Sequence, residues 1–364
     1  MDRFGIVFDR GTFFPGEPVS GKVVLKIGKE ISAHNIKISI HGAGRTEWKE
    51  VIRNTRYVDG KPEWYDETLC YSADLKILSR EEMLWKAKTV SKIPAGHHVF
   101  PFSFRLPSSS PPSFEGKHGH IRYGVEAELD RPWRFNQVDR RDIKVSSYLS
   151  PSPLSNSPAT KKDVKEIGVM FKKGVVKMKV TIPKQFVSPG EEVPITISVD
   201  NESSRPARRI RWELQQQSHF HASRDSSLRK KSTHHEQHRD KIKTVAEFSR
   251  RTEVPPYTKS EKEMVIKIPA LPPTFQSTII KNEYVLVVKL DTETSLNNTL
   301  RCEFALVIGK ARPRPSAVPS APALVDRSDS MPPDYSSLMP LDHSGAGPSE
   351  VPPSYEDSIS VTKM

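Results

Sequence analysis

Phe14-Pro15-Gly16-Glu17-Pro18-Val19 returns, 174 residues later, as Val187-Ser188-Pro189-Gly190-Glu191-Glu192-Val193. In each copy Pro-Gly suits the two central positions of a tight turn, and the residues that follow open an apolar run. A second pair of echoes lies further on in the same order. Ile121-Arg122-Tyr123-Gly124-Val125-Glu126-Ala127-Glu128-Leu129 is answered by Asn282-Glu283-Tyr284-Val285-Leu286-Val287-Val288-Lys289-Leu290. Repeated segments in repeated order mark a duplicated unit. Around them apolar residues recur at period two: Ile36, Ile38 and Ile40; Val176, Met178, Val180 and Ile182; Ile195, Ile197 and Val199. Short alternating runs separated by Gly, Pro and Ser are strands with one buried face. No long helical period competes with them. The expected fold is all-β, with two tandem antiparallel sandwiches and with Phe102, Phe104 and Leu106 in the core of the first.

The chain has 364 residues, which allows two such units and a tail. Alternating Pro and Ser in Ser150-Pro151-Ser152-Pro153-Leu154-Ser155-Asn156-Ser157-Pro158 predict an extended linker over residues 151–158. It divides a first domain, 1–150, from a second, 159–310. Beyond Lys310 the composition changes: residues 311–364 hold 10 Pro, 11 Ser and two aromatics. That is too little apolar surface to offset the entropy of ordering, so a disordered tail is expected. The tail has 4 basic and 7 acidic residues, a charge of −3; with +12 for the whole chain, residues 1–310 carry +15. Such a surface suits anionic partners. Two cysteines exclude a disulfide framework, and nothing approaches the ~20 apolar residues of a membrane span. A cytoplasmic protein, peripheral at the plasma membrane and endosomes, is the expectation.

Several segments together are similar to one family. Phe14-Pro15-Gly16-Glu17-Pro18-Val19-Ser20-Gly21, Ala95-Gly96-His97-His98-Val99-Phe100-Pro101-Phe102-Ser103-Phe104-Arg105-Leu106-Pro107, Ser113-Phe114-Glu115-Gly116, Ile121-Arg122-Tyr123 and Ile268-Pro269-Ala270-Leu271-Pro272-Pro273 resemble the alpha-arrestins, the arrestin-domain-containing proteins. The resemblance spans about residues 4 to 310. It implies two linked seven-stranded immunoglobulin-like sandwiches, an arrestin amino-terminal and a carboxy-terminal domain, with no catalysis and no cofactor.

The tail carries words of its own. Pro332-Pro333-Asp334-Tyr335 and Pro352-Pro353-Ser354-Tyr355 are two P-P-x-Y motifs, and their tyrosines are the tail's two aromatics. Tail composition alone predicts roughly 0.06 such motifs, so the pair is not accidental. A polyproline II turn of three residues puts the first Pro and the Tyr on one face about 9 Å apart, ready for the aromatic groove of a WW domain. The binding residues are therefore Pro332, Pro333, Tyr335, Pro352, Pro353 and Tyr355, and the expected partners are WW-domain HECT ubiquitin ligases. Val254-Pro255-Pro256-Tyr257 lacks the spacer and reads as a loop beside a strand. Pro319, Ser320, Ala321 and Pro322 spell a late-domain motif of the kind read by ESCRT-I, which resembles the vesicle-budding branch of the family; a Pro-rich spacer is the plainer alternative. Leu338, Leu341 and Asp342 fit a clathrin or adaptor pattern, short enough to occur in any polar tail.

Within the folded part, His219, His221, His234, His235 and His238 raise the question of a metal, but Arg229, Lys230 and Lys231 among them would repel a cation. A mobile basic loop is the simpler reading, with those three residues as an anion-binding patch for phosphorylated peptides or anionic membrane. Cys302 shares parity with Phe304, Leu306 and Ile308 and reads as core, whereas Cys70 reads as exposed. A redox role by thioredoxin binding would fall to Cys302. No nucleophile elbow or phosphate-cradling loop is present, and no module for nucleic acid. Three readings stand: an adaptor between membrane-protein cargo, such as receptors or transporters, and a ligase; a budding factor that recruits ESCRT-I; and a thioredoxin-binding regulator.

Overall fold

The structure, a computed structural model, describes residues 3–167, 174–224, 236–292 and 299–312. The first half holds β1 (Arg3–Phe8), β2 (Thr12–Phe13), β3 (Pro18–Ile27), β4 (Ile31–Val58), β5 (Lys61–Ile93), β6 (Gly96–Arg105), β7 (Phe114–Gly116), β8 (Gly119–Asp130), β9 (Gln137–Val145) and β10 (Tyr148–Leu149). The second holds β11 (Ala159–Ile167), β12 (Gly174–Ile182), β13 (Phe186–Val187), β14 (Glu192–Glu202), β15 (Ala207–Arg224), β16 (Glu236–Val254), β17 (Thr258–Lys267), β18 (Phe275–Gln276), β19 (Ile280–Thr292), β20 (Thr299–Ile308) and β21 (Lys310–Ala311).

Each half is a sandwich. Sheet β1-β3-β6 covers β5-β4-β8-β9-β2, and sheet β11-β12-β14-β17 covers β16-β15-β19-β20-β13. The alternation has the expected cause: Ile36, Ile38, Ile40, Phe102, Phe104 and Leu106 lie in the first core, and Val176, Met178, Val180, Ile182, Ile195, Ile197 and Val199 in the second. Seven long strands recur in each half, and β11 is an addition on the open edge of β12.

The duplication extends to single hydrogen bonds. Gly16 N donates to Leu106 O (3.1 Å) while Leu106 N donates to Glu17 O (3.0 Å); Gly190 N donates to Ile268 O (2.8 Å) while Ile268 N donates to Glu191 O (2.9 Å). Both glycines have positive φ, 81° and 87°, which is why Pro-Gly stands there twice. The Tyr123 hydroxyl donates to Pro111 O (2.5 Å) and the Tyr284 hydroxyl to Pro272 O (2.7 Å), each fully inside its own sandwich. Burial pushes both phenols up, Tyr284 to about 12.

Two features depart from the sequence reading. Residues 151–158 are not extended: Asn156 N donates to Ser152 O, Ser157 N to Leu154 O, and the backbone NH groups of Gln185 and Phe186 both donate to Ser155 O (2.8 Å each). Serine hydroxyls close the turn, Ser155 Oγ on Ser152 O and Ser157 Oγ on Pro153 O, which Pro-Ser composition does not reveal. Second, the halves share structure. Ser223 and Arg224 of β15 pair with Ser72 and Tyr71 of β5, and β10 runs parallel to β21. Phe220, Ala222, Ile279 and Ile280, all from the second half, belong to the first half's core.

Candidate functional site

The two long hairpins build the junction between the sandwiches. One is β4-β5, closed by Asp59 (φ 50°) and Gly60 (φ 77°), a two-residue turn with both central residues left-handed. The other is β15-β16. Where they meet, Thr46 Oγ1 donates to His221 O (2.6 Å), Arg224 pairs with Glu67 (3.1 Å) and Arg239 with Glu50 (3.2 Å). Beneath these half-exposed pairs lies an aromatic seam: His118 sits edge-on to Trp48 (6.1 Å) and to Phe220 (5.6 Å), and Phe220 leans on Phe114. Burial first, then the charges of Lys117, Arg239 and Lys241, hold the His118 imidazole below its usual range, which favours its neutral form in the seam.

The histidines do not form the loop the sequence suggests. His219 and His221 lie on β15 and His238 on β16. His219 Nδ1 faces Asp240 (2.8 Å) and its Nε2 faces Glu283 (3.4 Å); the His221 and His238 rings are 4.9 Å apart. Among the described residues no three His, Cys, Asp or Glu side chains form a metal-holding group. The strands extend further than the polar composition implied, because β15 is paired on both sides and backbone pairing outweighs side-chain polarity. His234, His235, Arg229, Lys230 and Lys231 lie outside the described residues. So do Pro319, Ser320, Ala321, Pro322, Pro332, Pro333, Tyr335, Leu338, Leu341, Asp342, Pro352, Pro353 and Tyr355.

Part of the basic character on the described surface lies on β16, where Lys241, Lys243, Arg250 and Arg251 are exposed on a strand paired on one side. Lysine on such an edge also blocks pairing with another chain, so a structural role accounts for part of the charge.

The cysteines separate cleanly. Cys70 is exposed and Cys302, opposite Val288 on β19, is buried. Burial foremost, with the nearby Asp163 carboxylate, pushes the Cys302 thiol up to about 11, against a smaller opposing effect of Lys161. At neutral pH it stays protonated, and a thiol is a poor nucleophile. Alkylation of the native protein at pH 7.5 should therefore modify Cys70 and leave Cys302 intact until denaturant is added. Peptide mapping checks this, and labelling of Cys302 at a comparable rate would return it to consideration as a redox partner.

Two aromatic positions that the sequence reading passes over stand out. Trp133 and Phe135, in the turn between β8 and β9, are 102% and 98% exposed. The signal that marks them is local: aromatics interleaved with Arg131 and Arg134 in a Pro-containing turn.

With this geometry in hand, the comparisons with known proteins bear on both halves. Residues 4–151 match the model described as arrestin (or S-antigen), N-terminal domain, and residues 172–313 match arrestin (or S-antigen), C-terminal domain. Arrestin domain-containing protein 17 of Caenorhabditis elegans is 29% identical over 318 residues, covering 85% of this chain and 70% of its own length. Arrestin domain-containing protein 4 of Mus musculus is 29% identical over 214 residues, 56% of this chain and 50% of its own. Arrestin domain-containing protein 1 of Mus musculus is 32% identical over 149 residues, 41% of this chain and 30% of its own. The alignments thus cover half or less of the two mouse proteins.

Proposed function

Because the chain belongs to the alpha-arrestin family of arrestin-domain-containing proteins, we propose that it couples a membrane-protein cargo, a receptor or transporter, to WW-domain HECT ubiquitin ligases. Arrestin-type adaptors are generally non-enzymatic, and this chain is read as one. The body would hold the cargo at the cytoplasmic face of the plasma membrane or an endosome, and the tail would bring the ligase, raising its effective concentration without changing its chemistry. One observation carries the reading: two P-P-x-Y motifs, Pro332 to Tyr335 and Pro352 to Tyr355, follow a body built of two arrestin sandwiches. Clathrin or adaptor contact through Leu338, Leu341 and Asp342, and anion contact through Arg229, Lys230 and Lys231, belong to the same reading.

A second reading has its own observation. Pro319-Ser320-Ala321-Pro322 begins seven residues beyond Arg312, so a body resting on a membrane would keep an ESCRT-I motif close to it. One proximity-labelling comparison tests both readings. Since β21 pairs with β10, the cut that spares the body falls after Arg312. The chain ending there should keep membrane-protein neighbours and lose the ligases. Changing Pro319 and Pro322 to Ala in the full chain should remove ESCRT-I neighbours and vesicle release while ligases remain. Ligases that persist without the tail would overturn the adaptor assignment; vesicle release unchanged by the two substitutions would remove the budding role.

A further inference from the structure

We propose that the turn joining β8 to β9 is an anchor for an anionic lipid surface. This rests on the reading that the body works at a membrane and names the part of it that touches the lipid. The turn is Arg131-Pro132-Trp133-Arg134-Phe135-Asn136. Its base is closed by the backbone NH of Arg131 on Asn136 Oδ1 (3.4 Å) and by Asn136 Nδ2 donating to Glu128. Its apex carries the two most exposed large apolar side chains among the described residues. Trp133 has φ 58°, in the left-handed region that favours Gly or Asn. Packing does not account for a tryptophan in that conformation with its whole ring in water.

Charge identifies the occupant. Connectivity sets this turn at the same end of the sandwich as the β3-β4 loop and the start of β1, since Arg3 pairs with Lys26, Ile27 with Gly96 and Asn35 with Asp130. That end exposes Arg3, Lys26, Lys29 and Arg134, with Arg131 half-buried, and none of the five is in an ion pair among the described residues. The acids beside them are committed: Glu30 to Lys92 (2.7 Å), Asp139 to Arg141 (3.0 Å), and Asp130 accepts from Asn35 (3.0 Å). Cations spread over three segments match a diffuse negative surface better than one bound anion. Exposed tryptophan between arginines is the chemistry of the headgroup layer: the ring sits at the interface, and guanidinium groups stay with the phosphates while their stems lie along the acyl boundary.

Sedimentation of the full chain with phosphatidylcholine vesicles, with and without phosphatidylserine, tests the assignment. Changing Trp133 and Phe135 together to Ser should weaken binding to the phosphatidylserine vesicles about tenfold or more, with an unchanged melting temperature because neither ring packs in the fold. Arg134→Gln should weaken it less and make it less salt-sensitive. If the unaltered chain binds these vesicles and the double variant binds equally well, the anchor is wrong while the membrane reading stands. If the unaltered chain does not bind them, the membrane reading fails with it. Capture of a phosphorylated peptide through these residues, without vesicles, would also overturn the lipid assignment.

Discussion

Changing Tyr335 and Tyr355 together to Ala should abolish capture of WW-domain HECT ligases, and either change alone should weaken it by roughly a hundredfold. The size of the single effect follows from geometry. A flexible chain of 20 residues, the spacing of the two tyrosines, has a root-mean-square span of about 25 Å. Neighbouring WW domains of one ligase would therefore fall within reach of both motifs, and the second contact would form at high effective concentration. Losing one tyrosine removes that gain and leaves a single weak contact. Docked as a polyproline II helix, each motif would present its first Pro and its Tyr on one face, so removing the ring would remove half the docking face. Titration of the full chain against a ligase fragment with tandem WW domains measures both steps. Affinity undiminished in the double variant would end the ligase-adaptor reading. Single variants that bind as well as the parent would show instead that the motifs act independently.

Which features were legible in the residues follows from how local their physics is. Alternation placed Ile36, Ile38 and Ile40 correctly because one face of β4 meets a core there. Further along the same strand the pattern fades, since beyond Asn54 both faces of the hairpin meet solvent, and Tyr57, Val58 and Trp64 are exposed. Only Asp59-Gly60 marks where it turns. The Pro-Gly and tyrosine echoes proved deep because each copy needs the same left-handed glycine, a local demand, and then repeats the same hydrogen bonds, which for Gly16 and Gly190 reach distant strands and follow from the duplicated fold. Strand parity, by contrast, says that Phe220 points inward and not which core it enters. That depends on contacts more than a hundred residues away, with Phe114 and His118. The tail motifs lie outside the described residues, and their reading rests on sequence alone.

That cross-over of Phe220 leads to the second large effect. Phe220 belongs to a strand of the second sandwich, is 1% exposed, and packs in the core of the first, between Phe114 and His118. Phe220→Ala should cost about 3 to 5 kcal/mol, because the ring's contacts are lost and rigid strands on both sides limit collapse of the cavity. For a single cooperative body of this size that corresponds to a melting temperature lower by roughly 5 to 8 °C. The telling readout is where the loss appears. If the shared core couples the halves, hydrogen exchange should accelerate on β4 and β8 as well as on β15 and β19, and the body should still melt in one step. Val180→Ala, whose side chain lies wholly inside the second core, serves as the comparison and should loosen β12 and β14 first. Phe220→Leu should restore most of the stability, since a branched apolar side chain refills much of the site. Protection lost only after residue 159 in Phe220→Ala, or a melt that separates into two transitions, would mean that the sandwiches are independent beads. On the proposed membrane reading, a joined body would transmit the position of a bound first half to the second half, after which the motif-bearing tail follows in sequence; independent beads would leave that position to the linker.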